Sequence, residues 1–249
     1  MLSELLRAIR LSGSVQFCFV SSGAWQTDAA PSLAKLAKRF AASMPFHIVV
    51  EGTCWLRMDG AEALLEAGDI VAFPFGTGHQ IGAGEDGRRV TPVQDLPPQP
   101  WPELPVLRYD DGRDNDTVRL LCGFLHCDAF GFRPLRDALP PLLHVRTQTG
   151  AGTGWLRAMT AQIVAELDAV PRAGGQSMLE RLTEMLFIEL LRHRIVLAAP
   201  ASAGWLAALA DPALGRCLSL IHSNPRRNWD VRELAAESGV SRSLLMERF

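Results

Sequence analysis

The chain has 249 residues, 48% of them apolar, which suits one large or two modest domains and excludes a disordered polypeptide. A formal charge of −2 excludes a uniformly basic surface built to coat nucleic acid, and no apolar run reaches the roughly 18 residues of a membrane span. Five cysteines, an odd number, do not read as a disulfide framework, so the expected setting is cytoplasmic with no membrane partner.

The opening MLSELLRAIRLSGSV sets Leu2, Leu5, Leu6 and Ile9 at helical spacing but lacks the unbroken apolar core of a signal peptide. VQFCFV at 15–20 reads as a strand closed by a Ser-Ser-Gly turn. PSLAKLAKRFAASM at 31–44 has helical composition among strands and stays unassigned. From Pro45 to Val71, apolar runs that each close on glycine predict a β-meander. Pro- and Gly-rich stretches follow and read as a surface excursion. TVRLLCGFLHC at 117–127 returns to strand and is expected to close the sheet into a barrel.

From Trp155 the period changes to that of helices. Leu156, Met159, Ile163 and Leu167 mark one helix. The longest is expected over 176–198, with Leu179, Leu182, Leu186 and Leu190 in one stripe widened by Met178, Met185 and Phe187. So broad an arc calls for two partners, the barrel and a second subunit. A third helix runs from Asp211 to Ser223 and is stopped by Asn224-Pro225.

The last 22 residues, NWDVRELAAESGVSRSLLMERF, place Val231, Leu234 and Ala235 on one inward face, then break at Gly239. Ser241 reads as the N-cap of a second helix carrying Leu244, Leu245 and Phe249 inward. Helix, glycine turn and capped helix describe a helix-turn-helix. Arg226, Arg227, Arg232, Arg242 and Arg248 gather here, as phosphate contacts or as a solvated face.

Two wordings carry a family resemblance. Gly68, Pro74, Gly76 and His79 reproduce the spacing of the second cupin motif, and WDVRELAAESGVSRSLLMERF resembles the first helix-turn-helix of the AraC/XylS transcription regulators. The chain thus resembles the cupin-containing branch of that family. The fold expected is α+β: a cupin-like effector-sensing barrel (1–146), a helical linker and dimerisation region (147–224), and the first helix-turn-helix of an incomplete DNA reader (225–249). The resemblance implies a homodimeric, non-enzymatic regulator of promoter DNA that answers to a small effector, truncated within the reader. It also implies that Ser243, Met246 and Glu247 face base edges; Arg242 and Arg248 suit phosphates better.

The candidate chemistry sits at His47, His79, Cys122 and Cys127, a nitrogen and sulfur set suited to tetrahedral zinc. A redox-sensing thiol pair and plain core remain alternatives, since five residues separate the cysteines on what should be one strand. His126 is a substitute ligand, and His144, His193 and His222 read as surface or linker positions. Trp25, Trp55 and Phe73 are candidate pocket walls. Metal-dependent cupins place a Glu where Pro45 stands, and their first-motif histidines are missing from their places. A cupin dioxygenase or isomerase is therefore the alternative function, not the leading one.

Overall fold

The computed structural model describes residues 11–29, 43–91, 103–111, 117–127, 139–148, 153–168, 173–197 and 211–248. The amphipathic opening, most of 31–44, the Pro-rich 92–102, Trp205 and Phe249 lie outside them.

Among the described residues, eleven strands form two sheets: β1 (Leu11–Ser22), β2 (Trp25–Asp28), β3 (Ser43–Glu51), β4 (Thr53–Met58), β5 (Ala61–Glu66), β6 (Asp69–Ala72), β7 (Gln80–Ala83), β8 (Arg88–Arg89), β9 (Val106–Asp110), β10 (Thr117–Cys127) and β11 (Leu143–Arg146). The first sheet runs β11-β6-β3-β10-β1-β9 and the second β5-β4-β7-β2-β8. The two face each other rather than joining in one closed ring. β10, expected to close a barrel, is instead a central strand between β3 and β1.

The stretch from 45 to 71 is likewise no simple meander. β3 and β6 pair in one sheet while β4 and β5 pair in the other, so the chain changes sheet twice. Gly52 makes the first corner. Its φ is +76°, and a Cβ there would stand 2.2 Å from the Thr117 carbonyl oxygen, so only glycine fits so close a crossing.

A bulge in β1 shifts its register against β10 between Val15 and Phe17. Val15 therefore joins the core beneath the helices, whereas Phe17 and Phe19 turn into the space between the sheets. That inner core also takes Trp25, Val49, Cys54, Leu56, Val71, Phe73, Ile81, Val118, Leu120 and Cys122.

The outer face of the larger sheet is covered by α1 (Gly154–Asp168) and α2 (Gly175–Leu197). Leu156, Met159 and Ile163 of α1 are buried, as are Leu179, Leu186, Phe187, Leu190 and Leu191 of α2. α2 rides so close to β1 that a Cβ at Gly13 would meet the Glu180 carbonyl oxygen at 2.9 Å. Of the three residues that widen its stripe, Phe187 is buried, whereas Met178 is 50% and Met185 44% exposed.

A separate core joins α3 (Pro212–Ser223), α4 (Val231–Ser238) and α5 (Arg242–Arg248) through Leu214, Cys217, Leu234, Ala235 and Leu245. Among the described residues, α3 shares its core with the helix-turn-helix. The Arg216 Nε–H donates to the Ser238 carbonyl at 2.7 Å, tying α3 to the end of α4.

Candidate functional site

The cupin-like wording from Gly68 to His79 builds one side of the site. After β6 the chain turns through Phe73–Gly76, closed by the Gly76 N–H donating to the Phe73 carbonyl at 2.9 Å. The turn folds His79 back over Phe73, their rings parallel within 4° and 3.8 Å apart. The other side comes from the larger sheet, where His47 on β3 and Cys122 on β10 are register partners across adjacent strands.

Three predicted residues meet there. His47 Nε2 lies 2.8 Å from His79 Nε2, His47 Nδ1 lies 3.1 Å from Cys122 Sγ, and His79 Nδ1 lies 3.1 Å from the Thr77 carbonyl oxygen. Burial dominates their titration. It lowers His79 to about 4, against opposing pulls from the Thr77 carbonyl and Asp28. It holds His47 well below the usual histidine range, with further lowering by His79, and pushes the Cys122 thiol well up, helped by Cys18 and Cys54.

With both rings neutral, the direction of every bond follows. A carbonyl can only accept, so His79 carries its proton on Nδ1 and offers Nε2 as acceptor. His47 then donates from Nε2 and accepts at Nδ1, and the Cys122 S–H supplies that last bond. The chain reads Cys122 to His47 to His79 to Thr77, with every member partnered.

This order does not suit zinc as the residues stand. Nitrogens on one tetrahedral zinc are about 3.3 Å apart, given Zn–N bonds of about 2.0–2.1 Å. Here the two Nε2 atoms are closer, and Cys122 addresses the opposite nitrogen of His47. Among the described residues no three His, Cys, Asp or Glu side chains converge on a metal position. Cys127 does not join the cluster by backbone register: β10 pairs with β3 without a shift from Cys122 to His126, which sets position 127 on the opposite face. Its side chain lies outside the described residues. His126 contacts Ser43 Oγ through Nδ1 at 3.5 Å. His144 Nε2 lies 2.9 Å from Asp69 Oδ2, which makes the buried Asp69 a hydrogen-bond partner between β11 and β6.

Of the candidate pocket walls, Trp25 and Phe73 are fully buried between the sheets. Trp25 packs edge-on against Phe19, and its indole N–H has no partner among the described residues, a group the sequence alone could not single out. Trp55 is not a wall. Its neighbours Cys54 and Leu56 point inward, so strand alternation turns Trp55 to the outer face, where Arg57 covers its ring at 4.2 Å.

The helix-turn-helix is capped at each junction. Asp230 Oδ1 accepts from the Arg232 and Glu233 N–H groups, Gly239 ends α4 at φ +71°, and Ser241 Oγ accepts from the Leu244 N–H at 3.1 Å. Leu234, Ala235 and Leu245 are buried, while Val231, expected inward, is exposed on the first turn of α4. Arg242, Ser243, Met246 and Glu247 all face solvent, Met246 at 63% exposure; the Arg248 side chain is outside the described residues. Arg227 is engaged within the unit, paired with Glu237 at 2.7 Å and stacked over Trp229.

A protein-family model described as Cupin matches residues 1–196. The whole chain aligns at 30% identity over 266 residues with a Streptomyces antibioticus protein named as an AraC-like transcription regulator, covering 77% of it. At 27% identity, 97% of the chain aligns with 76% of the HTH-type transcriptional regulator AlkR of Acinetobacter baylyi. Among solved structures, the AraC-like transcriptional activator CuxR aligns at 12% identity with a TM-score of 0.35, over 98% of this chain and 71% of that one.

Proposed function

Since the chain belongs to the cupin-containing AraC-like transcription regulators, we propose that the space between its two sheets binds a small, largely apolar effector with a hydrogen-bond acceptor. The observation that carries this reading is the Trp25 indole N–H, fully buried in the inner core with no partner among the described residues. Buried donors are almost always satisfied, and an acceptor atom on a ligand would satisfy this one. Much of the surrounding core is apolar, and the Cys122–His47–His79 chain adjoins it.

The DNA half of the function falls to α5. Ser243, Met246 and Glu247 lie on its open face for base edges, with Arg242 beside them for phosphate. A second copy is the partner proposed for the exposed Met178 and Met185 stripe of α2, so that two readers meet two half-sites in the cytoplasm. The effector can shift the arrangement of the readers only by its differential affinity for the two arrangements. A regulator is favoured over an enzyme because the polar groups of the inner site bond to one another rather than converging on a reacting centre.

The test is promoter protection by the full-length protein, with and without candidate effectors chosen by thermal shift. Trp25→Phe keeps the ring and deletes the N–H; it is expected to remove the effector response while leaving basal DNA binding intact. An undiminished response in Trp25→Phe, or no protected promoter under any condition, overturns the reading.

A further inference from the structure

Two threonines stitch the start of the cupin-like motif to the helix layer. Thr147, just past β11, is 1% exposed, and its hydroxyl donates to the Gly68 carbonyl at 2.7 Å. The approach is so close that a Cβ at Gly68, whose φ is +93°, would stand 2.7 Å from Thr147 Oγ1. Thr153 is buried as well. Its hydroxyl donates to the Thr147 carbonyl at 2.8 Å, and its own carbonyl accepts the Arg157 N–H in the first turn of α1. Beside Gly68, Asp69 accepts from the Glu66 N–H and lies 2.9 Å from His144 of β11. Side-chain bonds thus run from the first residues of the motif, across β11, into the start of α1.

The far end of α1 is tied too. Its last residue, Asp168, sits where the helix macrodipole disfavours an acid, and Arg119 of β10 meets it, Nη1 to Oδ1 at 2.5 Å. The Arg119 Nε–H also donates to Cys18 of β1 at 3.4 Å. The strands clamped in this way are strands that build the inner cluster. β6 runs on into Phe73, on which His79 stacks, and β10 carries Cys122. α2 is held differently. It joins the layer through a shared apolar core, and its Arg181, Thr183 and Arg192 bond to Glu184, Leu179 and Glu189 of the same helix.

We propose that α1 is a strut, clamped at both ends so that it moves with β6 and β10 as one body, and that α2 takes up its displacement through the core the two helices share. Apolar packing is non-directional and lets a helix slide, whereas a buried donor–acceptor pair fixes where its end must lie. Thr147 and Arg119 are therefore positioning residues of a conformational device built into the sheet-to-helix joint. The strut stands on the geometry alone; only its use in regulation rests on the effector reading.

The experiment uses no effector, because a substitution at the far end of β6 stands in for one. Phe73→Leu removes the ring under His79, and amide hydrogen exchange of the full chain is read in α1 from Arg157 to Thr160. Thr147→Val keeps the side-chain shape, deletes the hydroxyl, and should speed α1 exchange by about fivefold. In the native chain Phe73→Leu should speed it by about threefold or more. Added to Thr147→Val it should change α1 exchange by less than about 1.5-fold, and Thr147→Ser should restore the response. Loosening of the whole two-sheet unit would act in both backgrounds and so cancels in the comparison. The Leu234 amide of α4, in the separate three-helix core, should not change. His79→Gln perturbs the same end of β6 and serves where Phe73→Leu does not fold. Equal responses in the native and Thr147→Val backgrounds, or no response in the native chain, overturn the proposal and leave Thr147 as a satisfied core hydroxyl. A non-additive cycle beside an undiminished effector response in Trp25→Phe sinks the effector reading while the strut stands.

Discussion

Acid should unfold the two-sheet unit through the histidine chain, and the sign is fixed by burial. His79 has a folded pKa of about 4 against 6.5 in an unfolded chain, so between those values the unfolded state binds more protons. Stability contributed by the neutral ring is present above pH 6.5 and is lost as pH falls toward 4. At pH 5 the linkage integral amounts to about 2 kcal/mol for this one residue, relative to pH 8. His47, lowered in the same direction, adds to the loss. The structural cause is specific. A proton added to His79 Nε2 would face the donor on His47 Nε2 across 2.8 Å, turning a hydrogen bond into a donor–donor contact. The assay is urea unfolding at pH 8 and pH 5, comparing the native chain with His79→Gln. Only the pH-dependent part is compared, so that the packing lost in the variant and the ordinary titration of other histidines cancel. The variant should lose about 2 kcal/mol less than the native chain between the two pH values. Equal losses would refute the argument that these rings are held neutral by burial and bond direction.

Cys122→Ala should destabilise by about 1–3 kcal/mol, since it leaves His47 Nδ1 a buried acceptor without a donor, whereas Cys122→Ser retains a donor and should recover part of that; denaturant midpoints distinguish them. Gly52→Ala forces a side chain onto a left-handed backbone 2.2 Å from the Thr117 oxygen and should lower the melting temperature more than an alanine at the open turn glycine Gly76. Asp230→Ala removes the side-chain acceptor from two backbone N–H groups at the start of α4 and should destabilise the three-helix unit, read as reduced helicity on mild heating. Metal content of protein purified without added metal should fall well below one zinc per chain, with a chelator leaving the melting temperature unmoved. About one zinc per chain, lost in His79→Ala and in Cys122→Ser, would mean that His47 turns to bring all three ligands together.

Spacing alone singled out three residues that meet, His47, His79 and Cys122, but not the geometry of their meeting. His47 and His79 could be placed because a strand alternates and a Gly-x5-Pro-x-Gly-x2-His run makes a bend; their meeting at 2.8 Å is tertiary and has no local signal. Trp55 is misassigned by residue type alone: β4 alternates, with Cys54, Leu56 and Met58 on its inner face and Trp55 between Thr53 and Arg57 on the other. Glycine closes a hairpin and a sheet-to-sheet corner with the same letter, so the crossing at Gly52 looked like one more turn of a meander. The bulge near Gln16 was equally silent. VQFCFV is apolar almost throughout, and nothing in it says that Val15 and Phe17 part company between two cores. The helix-turn-helix was the most legible part, because Asp, Gly and Ser at its junctions act through local backbone bonds that need no distant partner.

That contrast bears on how sensing and reading can be joined. The three-helix unit is specified mainly by local caps and a small core, and its recognition surface is open as it stands. The inner site is specified by long-range pairing: β3, β10 and the β6–β7 turn each contribute one member of the Cys122–His47–His79 chain. Those same strands carry, on their other face, the core that holds α1 and α2. Cys122 alternates with Leu121, and His47 with Phe46 and Ile48, all three of which pack beneath the helices. A ligand that moved the inner members by even a fraction of an ångström would therefore press on the seat of α2, the helix whose Met178 and Met185 remain uncovered. Close-packed cores transmit such shifts because they cannot absorb them. Under the proposed function, the route from effector to a second copy then runs through two adjacent residues, across the thickness of one sheet.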